Sequence, residues 1–133
     1  MSQPKNNARA GQTLKPLIYL VDDEPLLLDL GEATLQADYR IKKFGDPEKA
    51  LSYFLKQSTK PVLVISDYAM GKMNGVDLLA RCKQAHPALK TMLASGTAGA
   101  EIMLAAPIKV DRFLEKPYQP EMLVRIVREL VGQ

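Results

Sequence analysis

Cysteine and histidine are almost missing from this 133-residue chain, with one of each. A lone Cys82 excludes an internal disulfide framework and a Cys-rich zinc site. A lone His86 excludes a multi-histidine metal centre. Long apolar runs are missing too: nothing approaches the roughly 18–20 residues of a membrane span. The opening Met-Ser-Gln-Pro-Lys-Asn-Asn is polar where a signal peptide carries an apolar stretch. No internal repeat and no appended helix-turn-helix is visible. The expectation is a cytoplasmic, reducing location away from membranes. Acids are absent from residues 1–15, which hold Lys5, Arg9 and Lys15. The whole chain has 18 basic and 15 acidic side chains, so residues 16–133 balance at fifteen of each. The surplus charge of +3 therefore belongs to the tail. A nucleic-acid footprint needs a basic face on the folded part, and the count does not supply one.

The length suits a single domain, too long to need staples and too short for two cores. Residues 1–15 are polar, basic and without periodicity, and are expected to be a disordered leader ahead of a domain over 16–133. From Leu17 the pattern becomes regular. LIYLV (17–21) is fully apolar, as in a strand buried on both faces of a parallel sheet. Pro25 then opens a helix to about Ala37, with Leu27, Leu28, Ala33 and Leu35 as its apolar stripe. YRIKKF (39–44) alternates and carries three basic residues, which suits an edge strand. Asp46-Pro47-Glu48 reads as a cap, a proline at the first turn and an early acid, starting a helix over 47–57. VLVIS (62–66) is a second buried strand, and Asn74 caps a helix to about His86. LKTMLAS (89–95) is a strand, 98–106 an Ala-rich helix stopped by Pro107, and VDRFLE (110–115) a strand. Pro120-Glu121 opens the last helix, to about Val131, with Met122, Leu123, Ile126, Val127 and Leu130 as its apolar face. Strand followed by helix five times, with short connections, predicts a doubly wound α/β domain whose chemistry lies at the carboxyl ends of the strands.

Those ends carry Asp22-Asp23-Glu24, Asp67, Ser95-Gly96-Thr97 and Lys116-Pro117. In a parallel sheet they share one edge, so three carboxylates meet a hydroxyl and an ammonium. Gathered carboxylates repel, and burying them unpaired is costly. A hard divalent cation such as Mg²⁺, which takes one or two carboxylates and phosphate oxygens, resolves the repulsion. A carboxylate beside it can act as nucleophile towards phosphorus.

Asp22-Asp23, Asp67-Tyr-Ala-Met-Gly-Lys-Met-Asn-Gly75, Ser95-Gly96 and Phe113-Leu-Glu-Lys116-Pro117, in this order, resemble the receiver domain of two-component response regulators. The resemblance spans about 16–132 and implies a flavodoxin-like five-stranded sheet of strand order 2-1-3-4-5. It implies that Asp67 accepts a phosphoryl group, with Ser95 and Lys116 bonding the phosphoryl oxygens. It implies that Asp22, Asp23, Asp67 and the carbonyl of Ala69 hold Mg²⁺. Ser95 and Phe113 would form a switch, the aromatic turning inward when phosphate draws in the hydroxyl, and Lys116–Pro117 would be cis. The implied partners are a histidine kinase or phosphotransfer protein and a downstream protein target, with homodimerisation an open alternative and no role for nucleic acid or membrane. The chain departs from the family pattern at Gly71, where proline is usual, at Ala69, and at Ser95, where threonine is more frequent. A more mobile loop is expected at Gly71.

Blander readings stand beside these. Asp22-Asp23 could be a strand end and helix cap, Asp67 a turn acid, Ser95-Gly96-Thr97 a turn and Lys116 a surface lysine. Cys82, His86 and the methionines read as structural. Among competing functions, a Mg²⁺ phosphohydrolase wants a second acid two residues after its nucleophile, where Ala69 stands. A flavodoxin-type carrier wants phosphate-binding donors where Asp22-Asp23-Glu24 would repel. A receiver used only for docking would not need the full acid set. The favoured reading is a phosphorylation-controlled switch rather than an enzyme, standing alone or as a segment of a larger hybrid kinase or regulator.

Overall fold

The computed structural model describes residues 14–96, 101–102 and 109–132. Five strands form one parallel sheet: β1 (Leu17–Val21), β2 (Arg40–Phe44), β3 (Leu63–Asp67), β4 (Lys90–Ser95) and β5 (Arg112–Glu115). Their order is β2-β1-β3-β4-β5, the doubly wound arrangement expected from the pattern. Among the described residues, four complete helices cover it: α1 (Pro25–Leu35), α2 (Pro47–Lys56), α3 (Gly75–Ala85) and α4 (Pro120–Val131). None is long and apolar enough to cross a membrane. Of the Ala-rich stretch 98–106, only Glu101 and Ile102 are described, both helical. Its remainder, Thr97 and residues 1–13 of the leader lie outside the described residues.

Strand periodicity divides the core in two. Tyr19, Val21, Val64 and Leu93 pack with Ala50, Leu51 and Phe54 of α2 and with Val76, Leu79 and Cys82 of α3. Their neighbours Ile18, Leu20, Leu63, Ile65, Met92 and Leu114 point the other way, onto Leu28 and Leu35 of α1 and Leu123, Ile126 and Val127 of α4. The caps also form as expected. The Asp46 side chain accepts from Lys49 N–H at 3.0 Å, and Asn74 accepts from Asp77 N–H at 2.9 Å. Cys82 is buried, with burial pushing its thiol up to about 12.

Several details differ from expectation. Strands β2 and β4 each begin one residue later than expected, and β5 begins at Arg112 rather than at 110, where the Asp111 side chain takes the Thr91 N–H. Strand β3 begins and ends one residue later, because Val62 is 39 % exposed and the backbone of Asp67 still pairs with Ala94. Ala33 is exposed and leaves the stripe of α1. Gly31 takes that place, since a Cβ there would come within 2.8 Å of Leu20 Cδ1. Met122 is 38 % exposed, so the buried face of α4 narrows to Leu123, Ile126 and Val127. Met122 lies one position off the buried stripe of its helix, and Ala33 lies midway between the stripe residues Gly31 and Leu35.

Candidate functional site

The sheet places the ends of β1, β3 and β5 along one edge, and their polar side chains converge there. Asp22 follows β1 directly. Its Oδ1 accepts from Glu24 N–H at 3.0 Å, which turns the chain into α1. Its Oδ2 accepts from Lys116 Nζ at 2.9 Å. Asp67 closes β3, and its Oδ1 accepts from the same ammonium at 3.0 Å. Lys116 follows β5, and its own N–H donates to Ser95 O at 2.9 Å, locking it to the end of β4. The three side chains are only 20 %, 12 % and 13 % exposed for Lys116, Asp22 and Asp67. Asp23 is exposed at the rim. Carboxylate oxygens of Asp22, Asp23 and Asp67 lie within 4.8 Å of one another.

The floor beneath is apolar: Leu20, Ile65 and Ala94 line a cavity of about 30 Å³ under Asp22, Asp67 and Lys116. Burial therefore pushes the Asp67 carboxyl above its usual range, opposed by Lys116 and reinforced by the nearby charge of Asp22. Burial works against the charge of Lys116, but hydrogen bonds to Asp22 and Asp67 outweigh it and hold the ammonium above its ordinary value. Three acids against one ammonium leave two uncompensated negative charges in a half-dry, all-oxygen pocket. A hard divalent cation fits that donor set and that charge.

Comparison with known proteins decides the family. The family model for the response regulator receiver domain matches residues 18–128. The chain belongs to this family. It is a receiver domain of two-component signalling. It is 31 % identical over 123 residues to the response regulator Rre1 of Synechocystis, a match covering 87 % of this chain and 52 % of that protein. The signal receiver domain of an HD-domain protein from Pseudomonas fluorescens superposes with a TM-score of 0.80 at 28 % identity, covering 90 % of this chain and 89 % of that one. The regulator TrrA of Thermotoga maritima, solved in complex with Mg²⁺ and BeF, gives 0.76 at 25 % identity, covering 86 % and 98 %. The chain spans about half or less of the length of the curated relatives it matches.

Within this receiver the expected residues fall as follows. Asp22, Asp23, Asp67 and Lys116 come together. Ser95 ends β4, is 4 % exposed and stands opposite Glu115 in the register. Ala69 lies in exposed backbone two residues beyond Asp67. Phe113 is half-buried on β5, against the core shared with α2 and α3. The Lys116–Pro117 peptide is cis. Gly71 has φ of 86°, a left-handed conformation closed to the proline that is usual at this position.

Two residues escaped the reading of the sequence. A Cβ on Gly75 would sit 2.2 Å from Asp67 O, so only glycine lets α3 start against the end of β3. Its N–H donates to Tyr68 O at 2.9 Å, closing the loop that carries Ala69. The spacing Asp67 to Gly75 was visible, but the close approach was not. Tyr118, just past cis-Pro117, lines the cavity under the acids, and burial pushes its phenol up. No sequence signal distinguished it from an ordinary loop aromatic.

Proposed function

We propose that Asp67 accepts a phosphoryl group from a histidine kinase or phosphotransfer protein, and that the domain then switches a protein-binding face. The observation that carries this is the Lys116 ammonium held between Asp22 and Asp67, at 2.9 and 3.0 Å, with Asp23 beside them. Asp22, Asp23, Asp67 and the carbonyl of Ala69 would hold Mg²⁺, which would supply positive charge to the phosphoryl oxygens during transfer.

The chain's own groups account for the rest. An oxygen of Asp67 attacks phosphorus, the bond from phosphorus to the donor breaks, and an acyl phosphate remains on Asp67. Lys116 turns from the carboxylate to a phosphoryl oxygen and needs no proton transfer, because its neighbours keep it charged. Ser95 donates its hydroxyl to another phosphoryl oxygen. The resulting pull on the end of β4 reaches Phe113, which stands beside Leu93 in the β4–β5 register. On this reading the protein is a signalling phosphoacceptor that turns over only its own phosphate. It works in the cytoplasm with a kinase and a protein target, with no nucleic acid bound by this domain and no membrane, as a monomer or a homodimer. A second reading, a receiver segment within a larger regulator or hybrid kinase, is favoured by the greater length of its relatives.

Acetyl phosphate with Mg²⁺ tests the assignment by intact-protein mass. One added phosphoryl group is expected, and none in Asp67→Asn. An unchanged shift in that variant refutes Asp67 as the acceptor.

A further inference from the structure

A second polar cluster lies near the opposite end of β5 from Lys116. Asp111, the residue before β5, accepts through Oδ2 from Thr91 N–H at 2.8 Å, from the Thr91 hydroxyl at 3.0 Å and from Lys83 Nζ at 3.2 Å. Its own N–H donates to Thr91 Oγ1 at 3.1 Å. Thr91 is fully buried. Lys83, from α3, also donates to Leu89 O at 2.7 Å, which ties the helix to the chain entering β4.

Strand β5 needs such a fastening. It is a four-residue strand at the edge of the sheet, paired among the described residues with β4 alone. A buried apolar pattern is what ordinarily sets register, and β5 has a single buried side chain, Leu114, where β3 has four. The register Met92↔Arg112 to Ser95↔Glu115 continues backwards to Thr91 opposite Asp111. The carboxylate takes the Thr91 N–H that a longer β5 would bond with a backbone carbonyl. A slip of one residue would move the strand by about 3.3 Å and turn each side chain to the other face. Lys116, at 2.9 and 3.0 Å from Asp22 and Asp67, would lose both.

We propose that Asp111, gripping Thr91 and Lys83, is the register pin of β5 and so a positioning residue for Lys116. The functional half of this rests on the role assigned to Lys116 above; the structural half does not. The pin acts along the strand, five residues from the ammonium, and touches neither phosphate nor metal. The carboxyl of Asp111 is itself stabilised as the anion: burial opposes its charge, but the Thr91 and Lys83 donors outweigh burial and hold it below the usual range.

Amide hydrogen exchange decides the structural half. In Asp111→Ala, the Lys116 amide, bonded to Ser95 O at the far end of the pairing, should exchange about tenfold faster or more, while Ile18 and Ile65 keep wild-type protection. Thr91→Val keeps the N–H bond but loses the hydroxyl, and should give a several-fold effect in the same place. Asp111→Asn retains an acceptor for Thr91 and should recover most of the protection. Wild-type protection of Lys116 in Asp111→Ala, or faster exchange confined to residues beside Thr91, overturns the pin. Phosphorylation by acetyl phosphate decides the functional half. Asp111→Ala should slow it about tenfold, as misplacement of a catalytic group does, and add nothing further in a Lys116→Ala background. Additive slowing in the double variant overturns the link to Lys116. Absence of wild-type phosphorylation would overturn the Asp67 assignment instead, leaving the exchange result to judge the pin.

Discussion

Replacing Lys116 by methionine keeps an unbranched side chain one heavy atom shorter and removes the charge and the donors that stand between Asp22 and Asp67. Each ion pair, near 3 Å, has a Coulomb energy of about 5 kcal/mol at an effective dielectric of 20. Part of that is spent on desolvating the ammonium, which is only 20 % exposed. Two carboxylates left within 4.8 Å of each other would repel by about 3 kcal/mol on the same scale. Protonating Asp67, whose carboxyl burial already pushes upward, limits that penalty. The expected net loss is about 3 kcal/mol, at the low end for breaking a buried pair. A divalent cation should bind the variant's uncompensated acids more tightly and recover about half of the loss or more. Urea melts of both proteins in EDTA and in millimolar Mg²⁺ check this. Equal stability of the two proteins in EDTA would refute Lys116 as the counter-charge. A Mg²⁺ increment no larger for the variant than for the wild type would refute the pocket electrostatics.

Asp23→Ala removes an exposed rim carboxylate with no ion pair among the described residues. It should weaken Mg²⁺ binding, followed by NMR shifts, while leaving metal-free stability equal or higher; a marked loss would make Asp23 a structural residue. Gly75→Ala forces a Cβ to within 2.2 Å of Asp67 O and 2.8 Å of Leu93 Cδ1. It should cost about 3 kcal/mol in urea melts, the upper range for overpacking, and lower the phosphorylation rate as Asp67 shifts. Asp111 contributes to the pH dependence of stability. Its folded carboxyl lies below the ordinary 3.8, so its contribution is present above that value and is lost as pH falls through the folded value. Asp111→Asn should therefore cost about 1–2 kcal/mol at neutral pH, with the gap from wild type closing below pH 3.8.

The sequence alone was enough for the element order, because that rests on local signals. Apolar runs at 17–21 and 62–66, the caps at Asp46 and Asn74 and the prolines at 25, 47 and 120 each act over a few residues. Parallel pairing then follows from the alternation of strand and helix, since crossover handedness leaves few ways to close the sheet. The acids and the lysine were legible for the same reason: each is the residue at or just after a strand's carboxyl end. What needed the tertiary structure was anything set by distance across the chain. That Lys116 stands between Asp22 and Asp67 rather than beside one of them depends on the relative height of β1, β3 and β5. That α3 must begin with glycine depends on a carbonyl eight residues back. Asp111 looked like an ordinary member of the VDRFLE run, because its partners, twenty and twenty-eight residues away, meet it only once β4 and β5 are in register. Ala33 and Met122 were misassigned for a related reason. A helical stripe read from apolar spacing is uncertain by a position or two, and only the side chains of the sheet beneath decide which residue must be small and which can face water.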